Sequence, residues 1–301
     1  ETGGSGMSIL EAFSKYNTLF LEAGETHTAI VNTDGELYTS GTGNQTGSSS
    51  GSNKTLTKVT TKDRVKTLSC GSNFTIFATE SNELYGFGNN AEGRCGLSWN
   101  AGYSAPQLID FGTSKIVKQI ACGNNHTLIV TEDRNVYGSG GNENGQLGIT
   151  DEYGNSQHGI QTFRVISDLV KKNVIQAVAG HTFSLLLIQE SGKTYLMAAG
   201  ESAGGKLGLG SSPGTQVKVF TRLSALDGVG VNFIAAKKKH CVALTKKGEV
   251  YSWGINEFGQ LGHGHLENVT KPKKIAFFKD KQVLAASALY NSTLFIAKSA
   301  N

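Results

Sequence analysis

The chain is 301 residues long, 38% hydrophobic and 17% charged, with a formal net charge of +4 at pH 7. This composition excludes a disordered polyelectrolyte, and no apolar run approaches the roughly 20 residues of a membrane-spanning helix. So mild a charge also lacks the clustered basic footprint of a nucleic-acid binder.

Thirty-nine glycines against three prolines demand many turns with positive φ or close backbone approach. Residues 1–6, ETGGSG, read as an expression scar, with Met7 as the native start of a single domain over 7–301. From Thr18 onward two short motifs alternate. The first is a Gly, two variable residues, then His or Phe followed by a small polar residue. It occurs as Gly24-Glu-Thr-His27-Thr28, Gly71-Ser-Asn-Phe74-Thr75, Gly123-Asn-Asn-His126-Thr127 and Gly180-His-Thr-Phe183-Ser184. A fifth copy loses the Gly, as Lys237-Lys-Lys-His240-Cys241, and a worn sixth reads Ala288-Leu-Tyr-Asn291-Ser292. Successive copies lie 47, 52, 57, 57 and 51 residues apart. The second motif, an alternating run ending in Gly, follows as Leu37–Gly41, Leu84–Gly88, Val136–Gly140, Tyr195–Gly200 and Val250–Gly254. A tight Gly-x-x-Gly element then closes four units, as in Gly145–Gly148 and Gly259–Gly262.

Each unit predicts three or four short strands. One precedes the first Gly (Thr18–Ala23, Ile116–Cys122, Val174–Ala179), one runs through the His-Thr position, and one ends at the Trp-Gly position. A fourth is expected in connectors such as Thr162–Ile166 and Val217–Thr221. Strand-only repeats of about 50 residues fit propeller blades, and no stretch has the 3.6-residue period of a helical solenoid. The expected fold is all-β, a closed β-propeller of six blades, with seven as the alternative. The sixth His-Thr-like strand, Asn291–Ala297, leaves the last blade without its outer part. Ile9–Tyr16 resembles the missing third strand, with Phe13 near the Trp253 position. The N-terminus is therefore expected to close the ring and leave no bare edge. Cys70 and Cys122 share a repeat position with Ala23, Ala179 and Ala236, which marks a small buried space. Free thiols and a reducing compartment are expected.

Gly200–Lys206, GESAGGK, matches a phosphate loop until Leu207 stands where a Mg²⁺-binding hydroxyl belongs, and the repeat already explains its glycines. His27, His126 and His240 alternate with Phe74 and Phe183, so they read as packing residues with one hydrogen bond. His263 and His265 have no Cys or carboxylate at ligand spacing. No metal, cofactor or covalent chemistry is expected. The binding candidates are instead the variable residues of the Gly-x-x-His loops, because equivalent loops must gather at one end of the ring. They are Glu25, Asn73, Asn124, Asn125, His181, Lys238, Lys239 and Tyr290. The Lys237–Lys239 run reads either as a solvated loop or as a basic contact for an acidic partner.

The order of these motifs resembles the regulator of chromosome condensation repeat family over about residues 18–300. That resemblance implies a β-propeller. The family's founding member has seven blades and acts as the nucleotide exchange factor for the small GTPase Ran. Relatives include propellers in ubiquitin ligases and kinases, effectors of intracellular bacteria, and an inhibitor of β-lactamase. In the exchange factor, acidic and histidine residues at the tip positions matter, and an enlarged turn follows one Trp-Gly strand. Here Glu25 is the one acid and His181 the one histidine at those positions, and the equivalent turns stay short. The implied partner is a small GTPase, Ran- or Rab-like, with nucleotide exchange as the implied activity. A non-catalytic scaffold or inhibitor is the alternative. A monomer in the cytoplasm is expected, or in the host cytosol if the protein is a bacterial effector.

Overall fold

The computed structural model describes residues 17–47, 52–98, 101–112, 114–210 and 214–299. They form five four-stranded antiparallel sheets and one two-stranded sheet, in chain order and with no crossover. Blade 1 comprises Thr18–Ala23, His27–Asn32, Leu37–Thr42 and Ser52–Lys58; blade 2 comprises Val65–Cys70, Phe74–Thr79, Leu84–Asn89 and Gly102–Ile109. Blade 3 comprises Val117–Cys122, His126–Thr131, Val136–Gly140 and Ile160–Val165; blade 4 comprises Val174–Ala179, Phe183–Glu190, Lys193–Glu201 and Gln216–Arg222. Blade 5 comprises Val231–Lys237, His240–Thr245, Val250–Gly254 and Val269–Lys274, and blade 6 comprises Lys281–Ala288 and Thr293–Ser299. The strands before the first Gly fall where the spacing predicts, and the fourth strand of each full blade is the one expected in the connectors. The expected closing strand, Ile9–Tyr16, lies outside the described residues.

The glycine ending each third strand is there because nothing larger fits. At Gly140 φ is 97°, and a Cβ would sit 2.3 Å from the Asn125 carbonyl oxygen. Only a residue that tolerates positive φ and offers no side chain lets the third strand pass so close to the tip loop.

The core is divided among five junctions between successive blades. Leu128 and Val130 of blade 3 cluster with Val174 and Ala177 of blade 4. Leu185 and Leu187 of blade 4 do the same with Val231 and Ile234 of blade 5, where Trp253 is fully buried. Equivalent clusters join blades 1 and 2, 2 and 3, and 5 and 6. The four cysteines are buried free thiols in these layers.

A polar contact repeats beside the apolar ones. His27 Nε2 meets Thr75 Oγ1 at 2.8 Å, His126 Nε2 meets Ser184 Oγ at 3.0 Å, and His240 Nε2 meets Thr293 Oγ1 at 2.9 Å. Each histidine therefore reaches a hydroxyl of the next blade, and the one-bond packing role expected for it holds.

Candidate partner-binding face

The Gly-x-x-His loops are stitched to one another through backbone hydrogen bonds. Glu25 N–H donates to Ser72 O at 2.9 Å, Ser72 N–H to Gly123 O at 3.2 Å, Asn124 N–H to His181 O at 3.3 Å, and His181 N–H to Lys238 O at 2.9 Å. The loops of blades 1 to 5 thus form one continuous frame at one end of the array. Such pairing fixes main-chain positions while leaving the side chains free to vary.

The two variable positions of the loop have different surroundings. At the second position, side chains turn toward the loops after the third strands. Thr26 Oγ1 donates to Asn73 Oδ1 at 3.2 Å and accepts from Gln45 Nε2 at 2.7 Å. Asn125 Nδ2 donates to Glu92 Oε2 at 2.7 Å, and its Oδ1 accepts from Gln146 Nε2 at 3.2 Å. Asn73 and Asn125, expected as partner contacts, are therefore held within the face and help to shape it.

At the first position, residues from opposite blades come within electrostatic reach. Burial lowers the His181 pKa; the negative charges of Glu25 and Glu201 oppose that shift, while Lys206 and Lys238 add to it. Lys238 Nζ lies 3.2 Å from the centroid of the Tyr290 ring, a close cation–π contact. Tyr290 Oη–H donates to Glu25 Oε1 at 3.5 Å. Glu25, His181, Lys238 and Tyr290, from blades 1, 4, 5 and 6, are thus gathered into one cluster. Asn124 joins through its backbone. Lys239 is half-buried beside Lys206, whose pKa its charge lowers.

The sixth loop corrects the register expected from the sequence by one residue. Leu289 N–H donates to Ser292 O at 2.9 Å, as Gly24 N–H does to His27 O. Leu289 is thus the equivalent of Gly24, and Tyr290 and Asn291 are the variable pair. A Cβ on Gly24 would lie 2.2 Å from His27 Cε1, so in blade 1 the glycine makes room for the ring. With Ser292 in place of the ring, Leu289 has room. Both landmarks of the motif are missing in that copy, which is why the spacing alone misplaces it.

Sequence reasoning missed Glu92, Glu201 and Lys206. Lys206 is 3% exposed and its Nζ pairs with Glu201 Oε2 at 2.6 Å. Burial pushes the Glu201 carboxyl up, but hydrogen bonds from Lys206 and Thr182 outweigh it and the net shift is downward. The lysine that completes the phosphate-loop look-alike is therefore already committed to a neighbouring carboxylate. His263 Nε2 likewise bonds Ser252 Oγ, at 3.0 Å.

These blades and their shared end define a repeat β-propeller with a polar face built from its tip loops. The chain belongs to the RCC1-like domain family, whose pattern matches residues 10–295. It is 30% identical over 244 residues to the ultraviolet-B receptor UVR8 of Arabidopsis thaliana, covering 79% of this chain and 52% of the receptor. To the human X-linked retinitis pigmentosa GTPase regulator it is 28% identical over 279 residues, covering 76% of this chain and 27% of the regulator. The chain thus spans about half or less of these relatives' own length. Prp20p of Saccharomyces cerevisiae shares the fold, with a TM-score of 0.77 at 21% identity over 93% of this chain and 68% of Prp20p. Among the described residues no helix is long and apolar enough to cross a membrane.

Proposed function

We propose that the tip-loop face binds a protein partner, that the partner is a small GTPase, and that binding promotes its nucleotide release. The observation that carries this reading is the convergence of Glu25, His181, Lys238 and Tyr290 from four blades onto one backbone-stitched frame. Side chains that differ from blade to blade on a constant frame suit recognition of one particular partner. Two relatives point to the partner class: one is named a GTPase regulator, and Prp20p was characterised for its binding to Gsp1p and histones.

Exchange asks for no covalent chemistry from the propeller. It needs a surface with higher affinity for the nucleotide-free GTPase than for the loaded form, which shifts the population toward release. Glu25 supplies a negative charge, and His181 a neutral imidazole, nearest the nucleotide site. Lys238 and Lys239 steer an acidic surface into register. Release of a fluorescent GDP analogue from a panel of Ran, Rab and Rho proteins tests this reading. One member should be accelerated, and Glu25→Ala with His181→Ala should abolish the acceleration without changing the melting temperature. If a bound GTPase releases GDP equally fast with the parent and the double variant, the proposed roles of Glu25 and His181 are wrong.

Binding without exchange is the second reading, and one observation favours it. Lys238, Tyr290 and Glu25 are already engaged with one another, and a rigid, self-satisfied cluster suits a scaffold or inhibitor. Stable binding to a GTPase with no change in GDP release selects that reading.

A further inference from the structure

The end of the array opposite the tip loops, its base, carries the hairpins between second and third strands and the connectors that enter each blade. The hairpins are equivalent, because the residue leaving each second strand bonds a carbonyl just before the first strand. Glu80 N–H donates to Arg64 O at 2.8 Å, Glu132 N–H to Ile116 O at 2.9 Å and Lys246 N–H to Gly230 O at 3.1 Å, and Thr33 and Gln189 make the same bond. In blades 1 to 4 this residue and the next are Thr33 and Asp34, Glu80 and Ser81, Glu132 and Asp133, and Gln189 and Glu190. Each of these pairs contains an acid. Blade 5 reverses the sign with Lys246 and Lys247, both exposed.

Three more lysines join them from blade 6. A Cβ on Gly248, the residue after Lys247, would lie 3.0 Å from Gln282 Cγ, so the hairpin abuts the start of blade 6. Lys281 begins the first strand there, and the second strand brings Lys298 opposite Gln282. Lys279 stands in the turn just before, its N–H donating to Ala276 O at 3.1 Å. Lys246, Lys247, Lys279 and Lys298 are exposed and Lys281 is half-buried. Among the described residues none of the five pairs with a carboxylate, whereas Lys274 nearby is bound to Glu249 at 2.6 Å. Asp280 is the exposed acid that the same segment contributes.

An aromatic ring stands within this cluster. The 3₁₀ turn Ala276–Phe278 leads into blade 6 as Ser167–Leu169 leads into blade 4 and Ser224–Leu226 into blade 5. The middle residue of the turn is exposed in all three, as Asp168, Ala225 and Phe277. Its place in the turn therefore exposes Phe277, which is 69% accessible. Lys281 Nζ lies 4.2 Å from the Phe277 ring centroid and donates to the Phe277 carbonyl oxygen at 3.3 Å. The neighbouring Phe278, by contrast, packs on Phe295 with ring centroids 4.9 Å apart.

We propose that the base of blades 5 and 6 docks on an anionic phospholipid surface, with Phe277 entering the headgroup region and the lysines facing the lipid charges. Turns and strand ends at one end of the array reach a plane together, and a bilayer is such a plane. The choice of cation favours lipid over other acidic partners. Arginine supplies the bidentate contacts of protein and nucleic-acid sites, and lysine is depleted from protein interfaces. Here all five cations are lysines. A bilayer asks only for positive charge near its surface, which flexible stems deliver. The net charge of +4 hides the cluster because acids elsewhere, those of the other hairpins included, offset it. Docking at the base leaves the tip-loop face turned to solution, so this proposal does not rest on the GTPase reading.

Sedimentation of the full chain with vesicles tests this. The chain should bind vesicles of equal parts phosphatidylserine and phosphatidylcholine, should not bind phosphatidylcholine alone, and should be released as salt screens the charges. Lys246→Glu with Lys247→Glu should weaken binding by about tenfold or more. Phe277→Ala should weaken it by about threefold or more, through the lost insertion of the ring. Neither should move the melting temperature, because all three side chains are exposed. Lys54→Glu with Lys218→Glu makes an equal charge change on the exposed outer strands of blades 1 and 4 and should leave binding within about twofold. No binding to the anionic vesicles, undiminished binding of either base variant, or an equal loss in the outer-strand variant would overturn the proposal. Tighter binding to a double-stranded oligonucleotide than to the vesicles would also overturn it, giving the patch to nucleic acid.

Discussion

His27, His126 and His240 each have one occupied ring nitrogen, and their Nδ1 atoms are buried without a partner. The tautomer follows from the hydroxyl each one meets. Ser184 Oγ–H donates to Gln146 O at 2.6 Å and Thr293 Oγ1–H to Gln260 O at 2.7 Å, so these hydroxyls accept from the histidine. The ring is therefore protonated on Nε2 and bare on Nδ1. Adding the second proton would bury an unpaired charge. Burial accordingly lowers the pKa of His27 and His240 to about 4 and that of His126 to about 3. With the folded values below the unfolded one, the unfolded chain binds protons that the folded chain refuses. This stability is complete above about pH 6.5 and is lost as pH falls toward 4, at up to about 1.4 kcal/mol per pH unit for each histidine. Replacing His126→Phe, the residue that blades 2 and 4 use, should remove about a third of that three-histidine slope. Urea unfolding at pH 7, 6 and 5 measures it. An unchanged slope would mean that His126 accepts its proton in the folded state.

At the scale of the element, the third strand carries the most information per residue. Trp253, near the end of that strand in blade 5, is fully buried, and its Nε1–H donates to Lys206 O at 3.1 Å. Trp253→Ala should cost about 3–5 kcal/mol in urea melts, because it opens a cavity between blades and removes the indole hydrogen bond to Lys206 O; a neutral result would reject that placement. Gly140→Ala should cost about 1–3 kcal/mol, through strain at positive φ and the clash with Asn125 O. The strands were legible because glycine sets their ends and β-branched residues fill them. The loops after them were not. Asn90, Asn142 and Asn256 stand two residues beyond the strand-ending Gly, and each is fully buried. Asn142 Oδ1 accepts from Leu147 N–H at 2.9 Å while Nδ2 donates to Ile149 O at 2.6 Å, which closes the Gly-Gln-Leu-Gly turn. A polar residue in a loop looks solvent-facing in a sequence. In blade 4, Ser202 interrupts the series, so the repetition did not stand out.

Across the whole molecule, the candidate face was legible as far as the repeat dictates it. Equivalent loops had to gather, and Glu25, His181, Lys238 and Tyr290 did so. Glu92 escaped because it reaches Asn125 of the next blade, and Glu201 and Lys206 because their pairing beside Thr182 within blade 4 is a side-chain contact that no spacing records. Lys237 carries the clearest long-range contact. It replaces the tip-loop Gly of blade 5, and its Nζ donates to Ala23 O of blade 1 at 3.0 Å and to Cys70 O of blade 2 at 3.5 Å. Blade 5 is thereby tied to blades 1 and 2. The same ammonium faces Glu22: burial pushes that carboxyl above its ordinary range, and the Lys237 charge opposes the shift. Local reasoning favours Lys237→Gly, since glycine is the residue most blades use there. The cross-axis bonds give the opposite sign, and their loss should cost about 1.5–2 kcal/mol, the lower part of the range for hydrogen bonds from a charged group. The pH dependence separates the two views. The Glu22 pKa is raised on folding, so ionising it costs stability as pH rises above the unfolded value. Without Lys237 nothing offsets that cost, and the deficit of the glycine variant should be larger at pH 7 than at pH 4. Urea unfolding of parent and variant at the two pH values decides it; a variant as stable as the parent at pH 7 would show that Lys237 does not hold the array together.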